Sequence, residues 1–121
     1  METGGQSTSM NALKRNNVRV VGLGEQSIMF AHGYGCDQSM WRNVIPAFAD
    51  NYKVILFDYV GSGLSETSAF DQTRYSTLQG YAQDVLEIIA ELKLDGPVHF
   101  IGHSVSSMIG ALASIREPQK F

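Results

Sequence analysis

The 121-residue sequence predicts an α/β fold, with a mostly parallel sheet and flanking helices. Three short apolar runs, at residues 27–31, 54–57 and 98–101, are typical of strands buried on both faces of such a sheet. Helical patterns separate these runs, and the alternation of strand and helix indicates βαβ units. The third run passes abruptly into a helical pattern, with Ser104 at the junction.

The N-terminal residues 1–11 are polar and rich in Gly, Ser and Thr. They lack the apolar core of a signal peptide, so we expect a disordered leader followed by a partial domain at residues 12–121. The single cysteine, Cys36, excludes an intramolecular disulfide framework and all-cysteine metal sites. Its predicted role is that of a small apolar loop residue, with a reactive thiol as the alternative. Together these features favour a cytoplasmic protein.

The composition excludes several classes of partner. A net charge of −3 provides no basic face for nucleic acid. No apolar run approaches the roughly 20 residues of a membrane span. Two Gly-x-Gly turns lack the third glycine of a dinucleotide-binding loop. We therefore expect no nucleic-acid or membrane partner, no cofactor and no metal.

The first third of the chain contains two weaker signals. Residues 12–15 and 18–21 flank an Asn-Asn pair that tolerates positive φ, which predicts a hairpin. Residues 39–50 have a helical pattern, although Pro46 must kink that helix or begin a new turn.

Two helices are predicted in the second half. Ser76 and Gln79 have capping-box spacing, and Asp-Gly-Pro at residues 95–97 ends the helix that follows them. Its apolar positions recur at three- and four-residue steps: Leu78, Tyr81, Ala82, Val85, Ile89 and Leu92. The last helix begins at Ser104 or Val105 and stops at Pro118. Its predicted buried face comprises Met108, Ile109, Leu112 and Ile115.

Ser104 is the candidate nucleophile. A sharp strand-to-helix turn presents a serine hydroxyl at the top of a parallel sheet, and the free N–H of Val105 would help to bind an oxyanion. Strand and helix approach closely there, which requires small neighbours. Gly102 meets this requirement, and Ser106 occupies a position that is usually glycine. The alternative is a serine that caps an ordinary helix.

A second candidate segment, residues 31–35, follows the first apolar run and contains two glycines. Such a loop supplies a further oxyanion donor, here the N–H of Tyr34, and the alternative is a plain glycine turn. His32, His99 and His103 all precede Ser104, whereas a triad of this architecture has the order Ser, acid, His. We therefore expect structural histidines, with His103 packed beneath the turn. Asp58 ends a strand and could serve as an acid only in another topology.

Four segments resemble one branch of the α/β-hydrolase superfamily. They are residues 32–41, 57–63, 74–84 and 102–106, within a resemblance that extends from about residue 13 to residue 121. The branch holds the RsbQ-type regulators of the bacterial sigma-B stress response and the plant karrikin and strigolactone receptors. Several motifs in one order make the resemblance specific.

The resemblance implies a cytoplasmic serine hydrolase with Ser104 as nucleophile and the backbone N–H groups of Tyr34 and Val105 as oxyanion donors. It also implies a small hydrophobic ester or lactone in a deep pocket, and a signalling phosphatase as partner. The family's acid, histidine, cap and C-terminal strands have no counterpart here, so the chain corresponds to the N-terminal half of an α/β-hydrolase fold.

Two other functions remain open. The chain could be a non-catalytic ligand-binding protein that activates a phosphatase, or an inactive gene fragment. A haloalkane dehalogenase is disfavoured because that branch has aspartate where Ser104 stands. We also expect strand 98–101 to be a sheet edge that invites association with other chains. Hydrolysis should be inefficient without a triad base.

Overall fold

The computed structural model describes residues 11–121. The predicted leader at residues 1–11 lies outside this range except for Asn11. That residue begins the first element, because its side-chain oxygen accepts a hydrogen bond from the Lys14 N–H at 2.8 Å.

A four-stranded sheet forms the centre of the described chain, in the order β1-β3-β2-β4. The strands are β1 (Arg19–Val21), β2 (Ser27–Ala31), β3 (Lys53–Leu56) and β4 (Val98–Gly102). β2 pairs in parallel with β3 and with β4, whereas β1 pairs antiparallel with β3. The predicted mostly parallel sheet is therefore confirmed. β4 is an edge strand among the described residues, as expected, and Ile101 is 41% exposed on it.

The predicted hairpin at residues 12–21 is wrong. Ala12–Arg15 forms a short helix, α1, and β1 pairs with β3 instead. The Asn-Asn pair does reverse the chain, since Asn17 has a φ of 47°. It connects a helix to a strand, however, because the Asn11 cap and the Val18 N–H bond to the Leu13 carbonyl close a helical turn.

The predicted helix at residues 39–50 is also wrong. Two short 3-10 helices, Gln38–Trp41 and Ile45–Ala47, replace it. Pro46 lies in the first turn of the second 3-10 helix, where its missing N–H costs nothing. Further 3-10 turns lie at Thr67–Ala69 and Pro118–Lys120.

Two longer helices, α2 (Leu78–Leu92) and α3 (Val105–Arg116), follow the predicted positions closely. The cap of α2 is Thr77 rather than Ser76, because the Gln79 N–H donates to the Thr77 hydroxyl oxygen at 3.3 Å. The helix ends at Lys93, which has a left-handed φ of 52°, three residues before the glycine of the predicted Asp-Gly-Pro stop.

The buried face of α3 differs from the prediction. Met108 and Ile115 are 54% and 76% exposed, and only Ile109 of the predicted set is fully buried. The residues that face the sheet are mostly small: Ser106, Ile109, Gly110 and Ala113. A Cβ at Gly110 would lie 2.5 Å from the Phe100 ring, so α3 lies too close to β4 for larger side chains there.

The sheet separates two apolar clusters, because alternate residues of its strands point to opposite faces. The larger cluster packs strand residues such as Met29 and Ile55 against α2 and α3. The smaller cluster packs Phe30 and its neighbours against the region of the first two 3-10 helices. There the rings of Phe30 and Trp41 lie 4.9 Å apart.

A partly buried ionic cluster joins α1 and α2. Asp84 is fully buried in α2 and accepts a hydrogen bond from the Tyr75 hydroxyl at 2.6 Å. The guanidinium groups of Arg15 and Arg74 pair with the same carboxylate, the former at 3.2 Å. Glu87 also pairs with both arginines. Because these partners come from three separate segments, the cluster fixes the loop that precedes α2.

Candidate active site

The backbone at Ser104 is strained. The residue joins β4 to α3 and has φ 60° and ψ −121°, a conformation that L-residues rarely adopt. Its side chain is exposed and makes no capping hydrogen bond. Within residues 11–121 its hydroxyl forms no hydrogen bond, and a strained serine so placed at the carboxyl end of a strand has the geometry of a nucleophile elbow.

Two glycines allow the segments around Ser104 to approach each other. A Cβ at Gly102 would lie 2.7 Å from the Ser106 carbonyl oxygen, so β4 and the first turn of α3 are in close contact. A Cβ at Gly33 would lie 2.6 Å from His103 Nδ1 and 3.2 Å from the Ser104 Cβ. The loop after β2 therefore lies directly against the serine turn.

Tyr34 directly follows Gly33 in the chain, and Val105 directly follows Ser104. The hydrogen bonds of residues 11–121 include none donated by the backbone N–H of either residue. Val105 is the first residue of α3, where the free N–H groups and the helix dipole favour negative charge. Tyr34 is 94% exposed, and the residue contributes to the wall of a neighbouring cavity.

An apolar cavity of about 240 Å³ opens beside these two residues. Its volume approaches the lower limit, roughly 300 Å³, of pockets that hold small ligands. Apolar and aromatic side chains dominate its wall, namely Tyr59, Val60, Phe70, Leu78, Tyr81, Val105 and Ile109.

His32 is buried and structural, as predicted. Its Nδ1 lies 2.9 Å from the Gly33 carbonyl oxygen, and its Nε2 lies 3.1 Å from the Tyr59 N–H. A carbonyl can only accept and an amide N–H can only donate, so both bonds require the neutral tautomer with the proton on Nδ1. With both nitrogens engaged, His32 cannot accept a proton from Ser104.

The other two histidines are exposed. His103 lies against Gly33 at the surface, so the expectation that it packs beneath the turn is wrong. His99 belongs to the opposite end of β4, where its ring meets Tyr52 edge-on at 6.3 Å.

Asp58 is buried and serves as a structural anchor. Its carboxylate accepts hydrogen bonds from the Gln38 N–H at 2.9 Å, the Asn17 side-chain amide at 3.0 Å and the Leu64 N–H at 3.0 Å. These donors come from three separate segments of the chain, and none of them is a histidine. Cys36 is a partly buried free thiol.

Sequence reasoning missed the partnership of Ser106 and Tyr59. The fully buried Ser106 hydroxyl donates to the His32 carbonyl oxygen at 2.5 Å and lies 2.7 Å from the Tyr59 hydroxyl. Because the Ser106 hydroxyl has one proton and donates it to the His32 carbonyl oxygen, the Tyr59 hydroxyl is the donor of the second bond. The only available signal was a serine at a position that is usually glycine.

The described residues contain no group of three or more His, Cys, Asp or Glu side chains that could hold a metal ion. None of the helices in residues 11–121 has both the length and the apolar character needed to cross a bilayer.

Comparison with known proteins gives consistent results. Residues 26–121 match the family described as alpha/beta hydrolase fold. Karrikin insensitive 2 receptor CA of Petunia hybrida is 48% identical over 106 residues, which are 88% of this chain and 39% of the relative. Strigolactone esterase RMS3 of Pisum sativum is 48% identical over 105 residues, 87% of this chain and 39% of the relative.

A solved structure agrees with these relatives. A hydrolase from Oleispira antarctica, olei00960, superposes with a TM-score of 0.86 at 49% identity and covers 90% of this chain and 40% of its own. The chain thus spans about two fifths of the length of the relatives it matches. With a family match over most of its length and a strained serine between β4 and α3, the chain belongs to the α/β-hydrolase fold family.

Proposed function

We propose that this chain provides the nucleophile and the oxyanion hole of a serine hydrolase that acts on a small apolar ester or lactone. The observation that carries the proposal is the strained backbone of Ser104, with Gly33 packed against it and its hydroxyl unbonded among residues 11–121. Strain at a non-glycine residue persists only where the surrounding structure enforces it, and such positions cluster at active sites.

In the proposed reaction, Ser104 Oγ forms a bond to the carbonyl carbon, and the carbonyl π electrons move to oxygen. The backbone N–H groups of Tyr34 and Val105 bind the resulting oxyanion, and each such donor typically contributes about a hundredfold or more to the rate. When the tetrahedral intermediate collapses, the ester C–O bond breaks and the alcohol oxygen leaves with the electron pair. In a lactone, that oxygen stays tethered to the acyl group.

The serine proton needs an acceptor. The hydrogen bonds of residues 11–121 include none between the Ser104 hydroxyl and a histidine or carboxylate, and both nitrogens of His32 are engaged. We therefore expect solvent hydroxide to remove the proton in the 121-residue chain, so acylation is slow and accelerates with pH.

The cavity that Tyr34 and Val105 help to line supports the choice of substrate. Its wall is mainly apolar and its volume of about 240 Å³ suits a compact molecule. Relatives of this chain are described as a Karrikin insensitive 2 receptor and a strigolactone esterase, and both descriptions name small molecules.

A second candidate function is ligand sensing without turnover, in the cytoplasm, with a phosphatase of a sigma-B-type stress response as partner. Two observations favour it: relatives are described as receptors, and Ser104 has no hydrogen-bonded base among the described residues. Binding of the chain to such a phosphatase, with and without a small apolar lactone, tests this part of the proposal.

The test of catalysis is covalent labelling of the purified 121-residue chain by a small alkyl fluorophosphonate, followed by intact and peptide mass spectrometry. We expect one adduct, on Ser104, that forms faster as pH rises. Ser104→Ala should abolish it. Ser114→Ala is the matched control, because Ser114 lies in α3, the helix that follows Ser104, and within the described residues its hydroxyl bonds only to the Ala111 carbonyl.

Labelling that persists in Ser104→Ala, or no labelling of the wild-type chain, would refute the assignment of the nucleophile. Affinity for an aromatic butenolide that is equal in wild type and Ser104→Ala, without labelling of either, would favour ligand sensing. If the chain shows no labelling and also binds no ligand, the result would favour the inactive fragment.

A further inference from the structure

The serine at residue 106 replaces the glycine that usually follows a nucleophile elbow, and it is fully buried. A glycine there would leave two buried groups, the His32 carbonyl and the Tyr59 hydroxyl, without the partner they have in this structure. Since an unsatisfied buried polar group is costly, the serine and the tyrosine form a matched pair. This pair also contacts the loop after β2, which belongs to the candidate active site.

The Ser106 hydroxyl acts on the loop that carries one proposed oxyanion donor. It bonds to the carbonyl of the His32–Gly33 peptide group at 2.5 Å. The next carbonyl, that of Gly33, is bonded to His32 Nδ1 at 2.9 Å and belongs to the same planar peptide group as the Tyr34 N–H. Because C=O and N–H point in opposite directions within a trans peptide, fixing the Gly33 carbonyl fixes the direction of the Tyr34 N–H.

The backbone of Ser106 belongs to the other half of the site. The Ser106 N–H donates to the His103 carbonyl at 3.1 Å, across the turn that contains Ser104. Val105, which carries the second proposed donor, is its immediate neighbour. One residue therefore connects the elbow, through its main chain, to the oxyanion loop, through its side chain.

Tyr59 supports this connection through hydrogen bonds to both Ser106 and His32. Its hydroxyl donates to Ser106 at 2.7 Å, which leaves the Ser106 proton directed at His32. Its own N–H donates to His32 Nε2 and so keeps the proton of that ring on Nδ1. Burial raises the pKa of Tyr59, so its hydroxyl stays protonated and remains a donor.

We propose that Ser106, supported by Tyr59, is a positioning residue that keeps the N–H groups of Tyr34 and Val105 directed at a common point. The inference rests on the proposed function, because it assigns those two N–H groups to an oxyanion hole. This role differs from a purely structural one in a measurable way. Removal of the Ser106 hydroxyl should disturb the geometry of the two N–H donors more than does a packing variant that lowers stability by the same amount.

The experiment compares Ser106→Ala with Ala113→Gly in the 121-residue chain. Ala113 is a fully buried residue of the same helix whose side chain forms no hydrogen bond, so its variant controls for weakened helix packing. The first measurement is the rate of fluorophosphonate labelling of Ser104. Misplacement of a catalytic group by about 1 Å can cost a hundredfold, so we expect Ser106→Ala to slow labelling by about ten- to a hundredfold at saturating probe. Ala113→Gly should label at nearly the wild-type rate.

A double-mutant cycle adds a second criterion. Tyr59→Phe removes only the outer bond and should slow labelling less than Ser106→Ala does. The double variant should be no slower than Ser106→Ala alone, because the Tyr59 hydroxyl acts through Ser106. Independent, multiplicative losses would overturn the inference, as would wild-type labelling by Ser106→Ala.

Proton–nitrogen NMR separates this inference from the proposed function. If the positioning role is right, the amide signals of Tyr34 and Val105 shift or broaden in Ser106→Ala and keep their positions in Ala113→Gly. That result would support the role even if Ser104 proved unreactive, an outcome that refutes the proposed function alone. Amide signals equally unchanged in both variants would overturn the positioning role.

Discussion

Replacement of Gly102 by alanine tests the close contact on which the strained serine depends. A Cβ at this position would lie 2.7 Å from the Ser106 carbonyl oxygen and 3.0 Å from the Ser107 nitrogen. An ordinary contact needs at least 3.4 Å, so β4 and α3 would have to separate by about 0.7 Å. Both contacts are with backbone atoms of a helix, which cannot rotate away as a flexible side chain would.

Overpacking of this kind typically costs about 1–3 kcal/mol. In a domain of this size each kcal/mol lowers the melting temperature by about 4 °C, so Gly102→Ala should melt about 4–12 °C below wild type. Circular dichroism at 222 nm during heating, with urea unfolding for the free energy, provides the measurement. The separation should also slow labelling of Ser104, because it moves the Val105 N–H.

Gly96 is the matched control. A Cβ there would meet nothing within 4 Å, and its φ lies in the region open to all residues. Gly96→Ala should therefore change stability by less than about 0.5 kcal/mol. If Gly102→Ala matched Gly96→Ala in melting temperature, the close strand–helix contact, and with it the argument for a rigid elbow, would be wrong.

Three further predictions concern the buried Tyr75 and Asp58 side chains and the strained backbone of Ser104. Burial, together with the bond to Asp84, raises the pKa of Tyr75 from 10 to about 12. Since the folded state holds this proton more tightly, the stabilisation present below pH 10 should be lost as pH rises from 10 to 12, and less so in Tyr75→Phe. Urea unfolding across this range, with tyrosinate absorbance at 295 nm, measures it, and titration of every tyrosine near pH 10 in an intact fold would contradict it. Asp58→Asn places an amide N–H among three donors and should cost about 1–3 kcal/mol in urea unfolding, whereas Asp37→Asn, an exposed cap with one donor, should cost little. Ser104→Gly should be more stable than Ser104→Ala by about 1 kcal/mol or more, because glycine adopts this φ without strain, and equal stabilities would show that the turn is relaxed.

The elements that could be predicted are those specified by local pattern. All five residues of β2 are buried, which is why a continuous apolar run marked a strand covered on both faces. The helix α2 followed from the three- and four-residue spacing of its apolar positions, of which Ala82, Val85 and Ile89 are buried in the larger cluster. In both cases the apolar residues of the segment itself are sufficient to predict the element.

The elements that were predicted wrongly depend on partners distant in sequence. β1 turns away from the adjacent segment because its partner, β3, lies more than thirty residues further along. The large side chains of α3 face outward because Phe100 and the main chain of β4 occupy the space beneath Gly110. No local pattern reports on space that another segment fills.

The same distinction applies to the site. Ser104 and the loop with Gly33 were predictable, because a strand followed at once by a helix leaves a recognisable sequence. The bond from Ser106 to His32 spans 74 residues, and that from Tyr59 to Ser106 spans 47. A serine in place of glycine showed that something differed, and the structure identified what the hydroxyl contacts.

These contacts explain how a strained residue persists in a small sheet. Ser104 gains no capping bond of its own, and its φ of 60° costs free energy that a glycine would save. The flanking structure opposes relaxation at three points: Gly102 brings the helix onto the strand, Gly33 closes over Ser104, and Ser106 ties the helix to the loop. Stability given up at Ser104 is thus offset by close packing and buried hydrogen bonds around it. For this reason the variants most damaging to the site should be those that loosen its support, and the serine itself should be replaceable by glycine with a gain in stability and a loss of reactivity.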